Sequence, residues 1–374
     1  MFANSVGVPK RILIVNPFGI GDVLFTTPLV RAIHRAFPKS RIGYLCNRRT
    51  ERVLRDNPHL DALFVYEKDD FVDLCRTSRW AGLRYLAKLF QQINHFHCDW
   101  VMDLSLGERY SFLTALMGAK RRVGFNFRGR GRFLTESYPI EGYQDDHVAE
   151  HYRRLLKFLG IEMIDSTLEF PVSNKDECWV DDWLAKHGLA SGELLVGIVP
   201  AGGVSWGINA SFRRWSFEGF AKVADALVER YGARVLLFGE SADRDACASV
   251  SRLMRNKAVD VSGQTNLGQF VSFLGRLGLV VCNDGGPLHL AVSQKVRTVS
   301  IFGPVDPAVY GPYGPDNHAA HQTVFREELL CRPCYNRFRL PPCPYERACL
   351  TAVTAEDVLE GCVRILEKPA LVRQ

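Results

Sequence analysis

Short apolar segments typical of β-strands alternate with helical segments along almost the whole chain, and this alternation limits the fold more than any other sequence feature. Strand candidates in the first half are residues 11–16, 41–46, 62–66, 100–104 and 122–125. Those in the second half are 194–199, 234–238, 258–261, 279–282 and 298–302. Apolar strands separated by helices form parallel sheets with right-handed crossovers. The pattern therefore predicts an α/β fold built from doubly wound sheets.

The length of the chain, 374 residues, favours two domains, because one hydrophobic core seldom serves so many residues. A helical pattern ends near Pro171, and a second series of strands and helices follows. We therefore expect two Rossmann-like domains, 1–171 and 172–354, facing a cleft at the carboxyl ends of their strands. The last segment, 355–374, contains a helix that we expect to pack back on the N-terminal domain.

The composition is that of a globular protein with a mild basic excess, a formal net charge of +6. Such a charge suits an anionic small ligand or an anionic membrane surface as well as nucleic acid. No helix-turn-helix, RNP-type or zinc-finger pattern is present, so we expect no nucleic-acid partner. The N-terminal apolar stretch is too short for a signal peptide, which predicts a cytoplasmic protein. The 11 cysteines are an odd number, typical of reduced thiols.

The segment 279–291, LVVCNDGGPLHLA, reads as a buried strand, a polar turn and the start of a helix. Gly285 and Gly286 let backbone approach a ligand closely, and a helix start offers N–H groups with partial positive charge. This arrangement is typical of a phosphate-binding turn, where Asp284 could accept from hydroxyls and His289 faces the same opening. The alternative is an ordinary strand–turn–helix corner.

Two further positions in the second half favour an anion site. Gly202 and Gly203 follow its first strand, and Arg213 and Arg214 precede the next helix, so together they could bind a diphosphate. A solvated basic loop is the alternative. Glu240 follows the next strand at the same sheet edge, either as an acceptor for ribose hydroxyls or as a surface carboxylate.

The loop after the first strand, Gly-Ile-Gly-Asp at 19–22, resembles the start of a dinucleotide-binding fingerprint and begins a helix expected to run to about Phe37. The third glycine position holds Leu24 or Phe25, and no acidic residue ends the second strand, so NAD binding is disfavoured. Asp22 is either a helix-capping aspartate or a carboxylate that takes a proton from an acceptor hydroxyl.

Arginines and phenylalanines interleave between residues 121 and 133. We interpret this run as a loop for an acidic acceptor or headgroup, with Arg122, Arg128 and Arg130 as acceptor-binding residues. A simple solvated loop is the alternative.

Four cysteines lie in a segment rich in proline and arginine: Cys331, Cys334, Cys343 and Cys349. They could hold a structural zinc or iron ion, or they could be free thiols. A four-thiolate site leaves no open coordination position, so it would not be catalytic.

Together these motifs resemble the bacterial lipopolysaccharide heptosyltransferases of glycosyltransferase family nine, which have the GT-B fold. The likeness rests on the Gly-Asp-x-x-x-Thr-x-Pro opening at 21–28, on Asn-Asp-Gly-Gly-Pro-x-His at 283–289, and on the segment 301–314 with the cysteines after it. It implies inverting transfer of heptose from ADP-heptose to a hydroxyl of a lipopolysaccharide core or related acceptor.

The resemblance also implies roles for individual residues. Asp22 would be the general base, and Gly21 and the turn from Asp284 to Gly286 with His289 would contact the donor. Arg213 or Arg214 stands where the family usually has a lysine for the diphosphate, and Leu267 matches the region that packs on adenine.

The partners implied are ADP-heptose, a lipopolysaccharide or glycolipid acceptor, and the inner-membrane surface as a peripheral contact. No strand-linked Asp-x-Asp motif is present, so we expect chemistry that requires no metal cofactor. Two alternatives stay open: a GT-B enzyme for another nucleotide sugar or a protein acceptor, and a non-catalytic nucleotide-binding scaffold.

Overall fold

The computed structural model describes residues 8–144, 146–189, 192–202, 204–315 and 317–368. The chain divides into two compact units, Met1–Ser166 and Thr167–Gln374, so the boundary lies slightly before the expected position after residue 171. Each unit contains a six-stranded sheet in which every neighbouring pair of strands is parallel. The predicted doubly wound α/β fold is confirmed.

The sheet of the first unit has the order β3-β2-β1-β4-β5-β6. Its strands are β1 (Arg11–Val15), β2 (Arg41–Cys46), β3 (Ala62–Val65), β4 (Trp100–Asp103), β5 (Arg121–Phe127) and β6 (Glu136–Ile140). Strand β6 was not expected from the sequence. It contains Pro139, which lacks an N–H donor, and an edge position tolerates that loss.

The helices described in the first unit are α1 (Ile20–Leu24), α2 (Thr27–Ala36), α3 (Arg48–Leu54), α4 (Lys68–Thr77), α5 (Arg79–Phe96), α6 (Glu108–Leu116) and α7 (Val148–Phe158). The prediction of a single helix up to Phe37 is wrong, because the helix is interrupted between α1 and α2. Pro28 cannot donate to the preceding turn. The hydroxyls of Thr26 and Thr27 donate instead to the carbonyls of Val23 and Leu24.

The sheet of the second unit repeats this topology in the order β12-β11-β10-β7-β8-β9. Its strands are β7 (Leu195–Val199), β8 (Arg234–Leu237), β9 (Val259–Asp260), β10 (Leu279–Asn283), β11 (Thr298–Ile301) and β12 (His321–Val324). Its described helices are α8 (Asn174–Lys186), α9 (Phe217–Tyr231), α10 (Arg244–Leu253), α11 (Leu267–Leu274), α12 (Gly286–Ser293), α13 (Pro307–Tyr310), α14 (Asn317–Ala320), α15 (Ala348–Thr351) and α16 (Ala355–Leu366), with 3-10 segments at Val204–Arg213 and Ser241–Asp243.

The strand order reverses beside β1 in the first sheet and beside β7 in the second. Ligands of doubly wound sheets bind at such reversal points, outside the carboxyl ends of the strands. The loops that follow β1 and β4 in the first unit, and β7 and β10 in the second, are therefore the positions where site residues are expected.

The last described helix, α16, packs within the second unit. It contacts α9, β11 and β12, and its residues Val358, Cys362 and Ile365 belong to the second unit's hydrophobic core. Gly361 allows this close approach, since a Cβ there would lie 3.2 Å from Val299. Residues 369–374 lie outside the described part of the chain. Among the described helices, none is long and apolar enough to cross a membrane.

Candidate functional site

The turn between β10 and α12 has the geometry of an anion-binding helix start. Gly285 has φ of +147°, a conformation that residues with a Cβ rarely adopt, and Gly286 begins α12 with Pro287 next to it. Because the first turn of a helix has N–H groups without helical partners, this end of α12 offers donors to a ligand. His289 is buried one turn further into α12.

Asp284 lies at the base of this turn and pairs with Arg213. The Nη2 of Arg213 is 2.5 Å from Oδ2 of Asp284, and the two side chains are 12% and 2% exposed. Burial raises the pKa of Asp284, and the Arg213 guanidinium opposes that rise. Among the described residues, neither Oδ1 of Asp284 nor Nε of Arg213 has a hydrogen-bond partner. A buried acceptor and a buried donor are thus left for a ligand to satisfy.

Arg213 also packs against an aromatic side chain. Its guanidinium lies 4.8 Å from the ring centroid of Trp206, and that ring in turn lies 4.7 Å from the ring of Tyr335. A cation over an indole is stabilised by the ring's negative face. The guanidinium therefore contacts both Trp206 and Asp284.

Arg214 has different partners from its neighbour. Its Nε donates to the carbonyl of Gly202 at 3.0 Å, and its Nη2 lies 3.9 Å from Oδ1 of Asp243. Gly202 has φ of +113°. The structure therefore places Arg213 at the β10–α12 turn and engages Arg214 with the loop after β7. Gly203, the other glycine expected here, lies outside the described residues.

Asn283, the last residue of β10, joins three segments of the site. Its Nδ2 donates to the carbonyl of Pro200 at 2.9 Å, and its Oδ1 accepts from the backbone N–H of Trp215, also at 2.9 Å. The loop after β7, the start of α9 and the β10–α12 turn are therefore held together by one buried amide.

The two remaining donor-side candidates lie on neighbouring loops. Glu240 is exposed and follows β8, and its backbone N–H donates to Asp243 at 3.1 Å. Leu267 is half-buried and is the first residue of α11. Both follow strands on the same side of β7 in the sheet.

The loop after β1 is fixed by two asparagines. Asn47 donates through Nδ2 to the carbonyls of Pro17 and Phe18, and the buried Asn16 accepts from the N–H of Phe18 at 3.2 Å. This loop leads into α1, which contains Gly21 and Asp22.

Asp22 is partly exposed and caps the helix in which it lies, because its Oδ2 accepts from the N–H of Gly19 at 3.3 Å. Its negative charge also reaches two buried phenols. Burial raises the pKa of Tyr143 and of Tyr152, and the Asp22 carboxylate adds to both shifts. Asp22 therefore caps α1 from the third helical position, with Gly19 as the N-cap residue.

Asp103 is a buried carboxylate that the sequence did not single out. It ends β4, the strand beside β1, and its Oδ1 accepts from the N–H of Ser105 at 2.9 Å. Its Oδ2 has no hydrogen-bond partner among the described residues. Burial raises the pKa of Asp103 to about 6, against the hydrogen bonds from Ser105.

Asp103 should make stability depend on pH. Its folded-state pKa lies above the unfolded value, so the folded state keeps a proton that the unfolded chain has lost, and stability falls as pH rises between about 4 and 6. We expect Asp103→Asn to remove this fall and to raise the free energy of unfolding near pH 7 by on the order of 2 kcal/mol. Urea unfolding of both proteins across this range measures it, with the exposed Asp182→Asn as the control. If the free energy of unfolding changed with pH in the same way with and without Asp103→Asn, the raised pKa would not belong to Asp103.

The three arginines expected to bind the acceptor occupy different environments. Arg122 donates through Nε to the carbonyl of Phe133 at 2.7 Å and through Nη1 to that of Ala119, so it braces the connection from β5 to β6. Arg128 and Arg130 are exposed on that connection, with their guanidinium groups 4.8 Å and 5.7 Å from the ring of Phe127.

The four cysteines of 331–349 lie close enough for their thiolates to act on one another. Burial raises the pKa of Cys349 to about 11, and Cys334, Cys343 and Cys331 add to the rise. Cys349 belongs to the apolar core, whereas Cys343 accepts from the N–H of Arg347. Within the described residues, no three His, Cys, Asp or Glu side chains are arranged to hold a metal ion. This arrangement favours the free-thiol alternative, and the zinc or iron site stays a prediction.

Metal analysis of protein purified without added metal tests this segment. We expect less than one equivalent of zinc or iron per chain, because the thiols do not converge on a common point. A full equivalent that is lost in Cys334→Ser and kept in Cys178→Ser, an exposed cysteine of α8, would establish the metal site instead.

Comparison with known proteins gives the family. Residues 86–338 match the family model described as glycosyltransferase family 9 (heptosyltransferase). Lipopolysaccharide heptosyltransferase 3 of Escherichia coli K12 is 23% identical over 361 residues, which cover 94% of this chain and 96% of that protein.

Two solved structures show the same fold. A family 9 glycosyltransferase from Veillonella parvula DSM 2008 has a TM-score of 0.79 at 26% identity and covers 96% of this chain and 98% of its own. The Escherichia coli heptosyltransferase WaaC, solved with ADP-2-deoxy-2-fluoro heptose, has a TM-score of 0.65 at 17% identity over 94% of this chain and 98% of its own. The chain therefore belongs to glycosyltransferase family 9, the heptosyltransferases, and is a glycosyltransferase of the GT-B fold.

Proposed function

We propose that this enzyme transfers heptose from ADP-heptose to a hydroxyl of a lipopolysaccharide core acceptor, with inversion at the anomeric carbon. The relative from Escherichia coli K12 is a lipopolysaccharide heptosyltransferase, and the similar WaaC structure holds an ADP-heptose analogue. A protein acceptor or another nucleotide sugar is the alternative.

One observation supports this proposal most directly: the buried pair of Arg213 and Asp284 beneath the N-terminus of α12. The helix N–H groups and the guanidinium of Arg213 would neutralise the diphosphate as ADP leaves. The Oδ1 of Asp284 has no partner among the described residues and would accept from a hydroxyl of the donor. Gly285 has φ of +147°, so the conformation of the turn depends on a residue without a Cβ at this position.

The acceptor would be activated from the first unit. We assign the general base to Asp22, which removes the proton from the acceptor hydroxyl as the hydroxyl oxygen attacks the anomeric carbon and the bond to the diphosphate breaks. The base and the groups that bind the diphosphate must lie on opposite faces of the sugar. In an inverting reaction the nucleophile attacks the face opposite the leaving group. We propose that this chemistry requires no metal cofactor.

The location of the reaction follows from the proposed acceptor. Lipopolysaccharide precursors are glycolipids, so we propose that the enzyme works from the cytoplasm as a peripheral protein at the inner membrane.

A donor panel tests the proposal. We expect release of ADP from ADP-heptose in the presence of truncated lipopolysaccharide, and little release from ADP-glucose, UDP-glucose or UDP-N-acetylglucosamine. Release of UDP at a comparable rate would overturn the donor assignment. Nucleotide binding without any release, across the panel and with authentic acceptor, would favour a scaffold without catalytic activity.

A further inference from the structure

Helix α6 exposes three large apolar side chains and buries two hydroxyl side chains. Ser111 and Thr114 are buried, at 0% and 3% exposure, whereas Phe112, Leu113 and Leu116 are 43%, 36% and 61% exposed. The hydroxyls of Ser111 and Thr114 donate to helix carbonyls at 3.1 Å, which satisfies them inside. A surface helix normally has the opposite pattern. The outward stripe therefore indicates a surface with a binding partner.

The connection from β5 to β6 adds positive charge to this stripe. Phe133 packs on Phe112 with ring centroids 5.0 Å apart, and Arg132 pairs with Glu108 at 2.8 Å. Arg128 and Arg130 are exposed on the same connection. We call this surface the α6 patch: Phe112, Leu113, Leu116, Arg128 and Arg130.

Helix α5 carries a second stripe of similar chemistry. Trp80 and Leu83 are 82% and 62% exposed, and the exposed cations Arg84 and Lys88 follow them on the same helix face. A tryptophan flanked by basic residues is typical of helices that lie in a membrane interface.

The two stripes lie on helices that pack against the same side of the first sheet. Helices α5 and α6 contribute to the same core cluster, and the ring of Tyr66 lies 6.1 Å from Tyr85 of α5 and 6.2 Å from Tyr110 of α6. The charge of Glu108, in the first turn of α6, is paired with that of Arg132.

We propose that the α6 patch, supported by the stripe of α5, docks the enzyme on the surface of an anionic phospholipid bilayer. The apolar side chains would enter the headgroup boundary and the arginines would contact lipid phosphates. The inference rests on the proposed function, because a glycolipid acceptor lies in such a surface. It assigns lipid contact to named residues of the first unit.

Vesicle flotation of the full-length protein, without donor or acceptor, tests the docking surface. We expect binding to phosphatidylcholine vesicles that contain phosphatidylglycerol and little binding to phosphatidylcholine alone. Arg128→Glu/Arg130→Glu should lower the partition coefficient about 10-fold or more, since each basic residue near the surface contributes measurably. Phe112→Gln/Leu116→Gln should lower it similarly and also lower the residual binding at high salt.

Matched controls come from the second unit, where comparable residues lie outside the patch. Lys186→Glu/Lys257→Glu makes the same change in net charge on exposed residues, and Leu253→Gln removes an exposed leucine of α10. Both controls should float like the unchanged protein. Equal losses of vesicle binding in the controls and the patch variants would show that the α6 patch has no special role, and this would overturn the proposal.

The competing occupant is a second copy of the chain. Self-association of the unchanged protein that Phe112→Gln/Leu116→Gln abolishes, together with no vesicle binding, would assign the patch to a dimer and overturn the proposal.

The same apolar variant separates docking from catalysis. We expect Phe112→Gln/Leu116→Gln to release ADP at the unchanged rate with a soluble, delipidated acceptor oligosaccharide. With acceptor in vesicles, the same variant should lose most of its rate of ADP release. If the unchanged protein transfers no sugar to either acceptor but still floats, the proposed function fails while the docking surface stands.

Discussion

Asp22→Asn is expected to lower the rate of sugar transfer about 10²–10⁴-fold and to leave ADP affinity nearly unchanged. The amide has no basic oxygen for the acceptor proton, yet its Oδ1 still accepts from the N–H of Gly19, as the carboxylate does at 3.3 Å. Helix α1 should therefore keep its cap and the loop after β1 its conformation. The loss should appear in kcat, because the acceptor proton is removed only as the reaction proceeds.

Single-turnover assays at saturating donor measure this loss, and ADP titration with each variant checks the donor side. Asp69→Asn is the matched control, because it changes an exposed aspartate in the first turn of another helix of the first unit, α4. Unchanged turnover of Asp22→Asn would show that another group takes the proton.

Arg213→Ala should weaken donor binding and also destabilise the fold. Removing the guanidinium leaves Asp284 buried without its cation, and breaking such pairs costs about 3–5 kcal/mol. Because burial already raises the pKa of Asp284, the lone carboxyl can bind a proton, so the loss of stability should shrink as pH falls. The donor KM should rise, because the orphan Nε of Arg213 is no longer present to contact the diphosphate.

A second substitution separates these two effects. Arg213→Ala/Asp284→Asn removes both charges, so it should regain much of the free energy of unfolding while donor KM stays high. Arg214→Ala is the matched control. It loses the bond to the Gly202 carbonyl, worth about 1 kcal/mol, and should change donor KM less than Arg213→Ala does. Equal KM changes in the two single variants would contradict the assignment of the diphosphate contact to Arg213.

The strands that the sequence predicted well are the buried ones. The bounds of β2 match the prediction of 41–46, and β1, β4, β7 and β10 differ from theirs by about a residue, since apolar runs define central parallel strands. The unpredicted strands, β6 and β12, are sheet edges, where half-exposed residues such as Glu136 and Gln322 leave no apolar run. Helix α4 was also missed because none of its residues is buried.

The candidate site was predicted in part for a related reason. Glycine-rich turns after buried strands can be found in a sequence, and so were Asp22 and Asp284. Which arginine reaches Asp284 depends on the 3-10 segment Val204–Arg213 and on the ring of Trp206, neither of which has a local signal. Asp103 was missed because one carboxylate at the end of a strand is indistinguishable from many others until its burial is known.

The amide of Asn283 has a consequence for the thermodynamics of donor binding. It ties the loop after β7 and the start of α9 to β10 through hydrogen bonds within the protein. When a loop becomes ordered during binding, the lost conformational entropy opposes binding. Here the loop is ordered in the folded protein, so this entropy is lost during folding and not during binding. The donor half of this enzyme is therefore preorganised, and most of the free energy of its contacts with a nucleotide sugar should remain available as affinity.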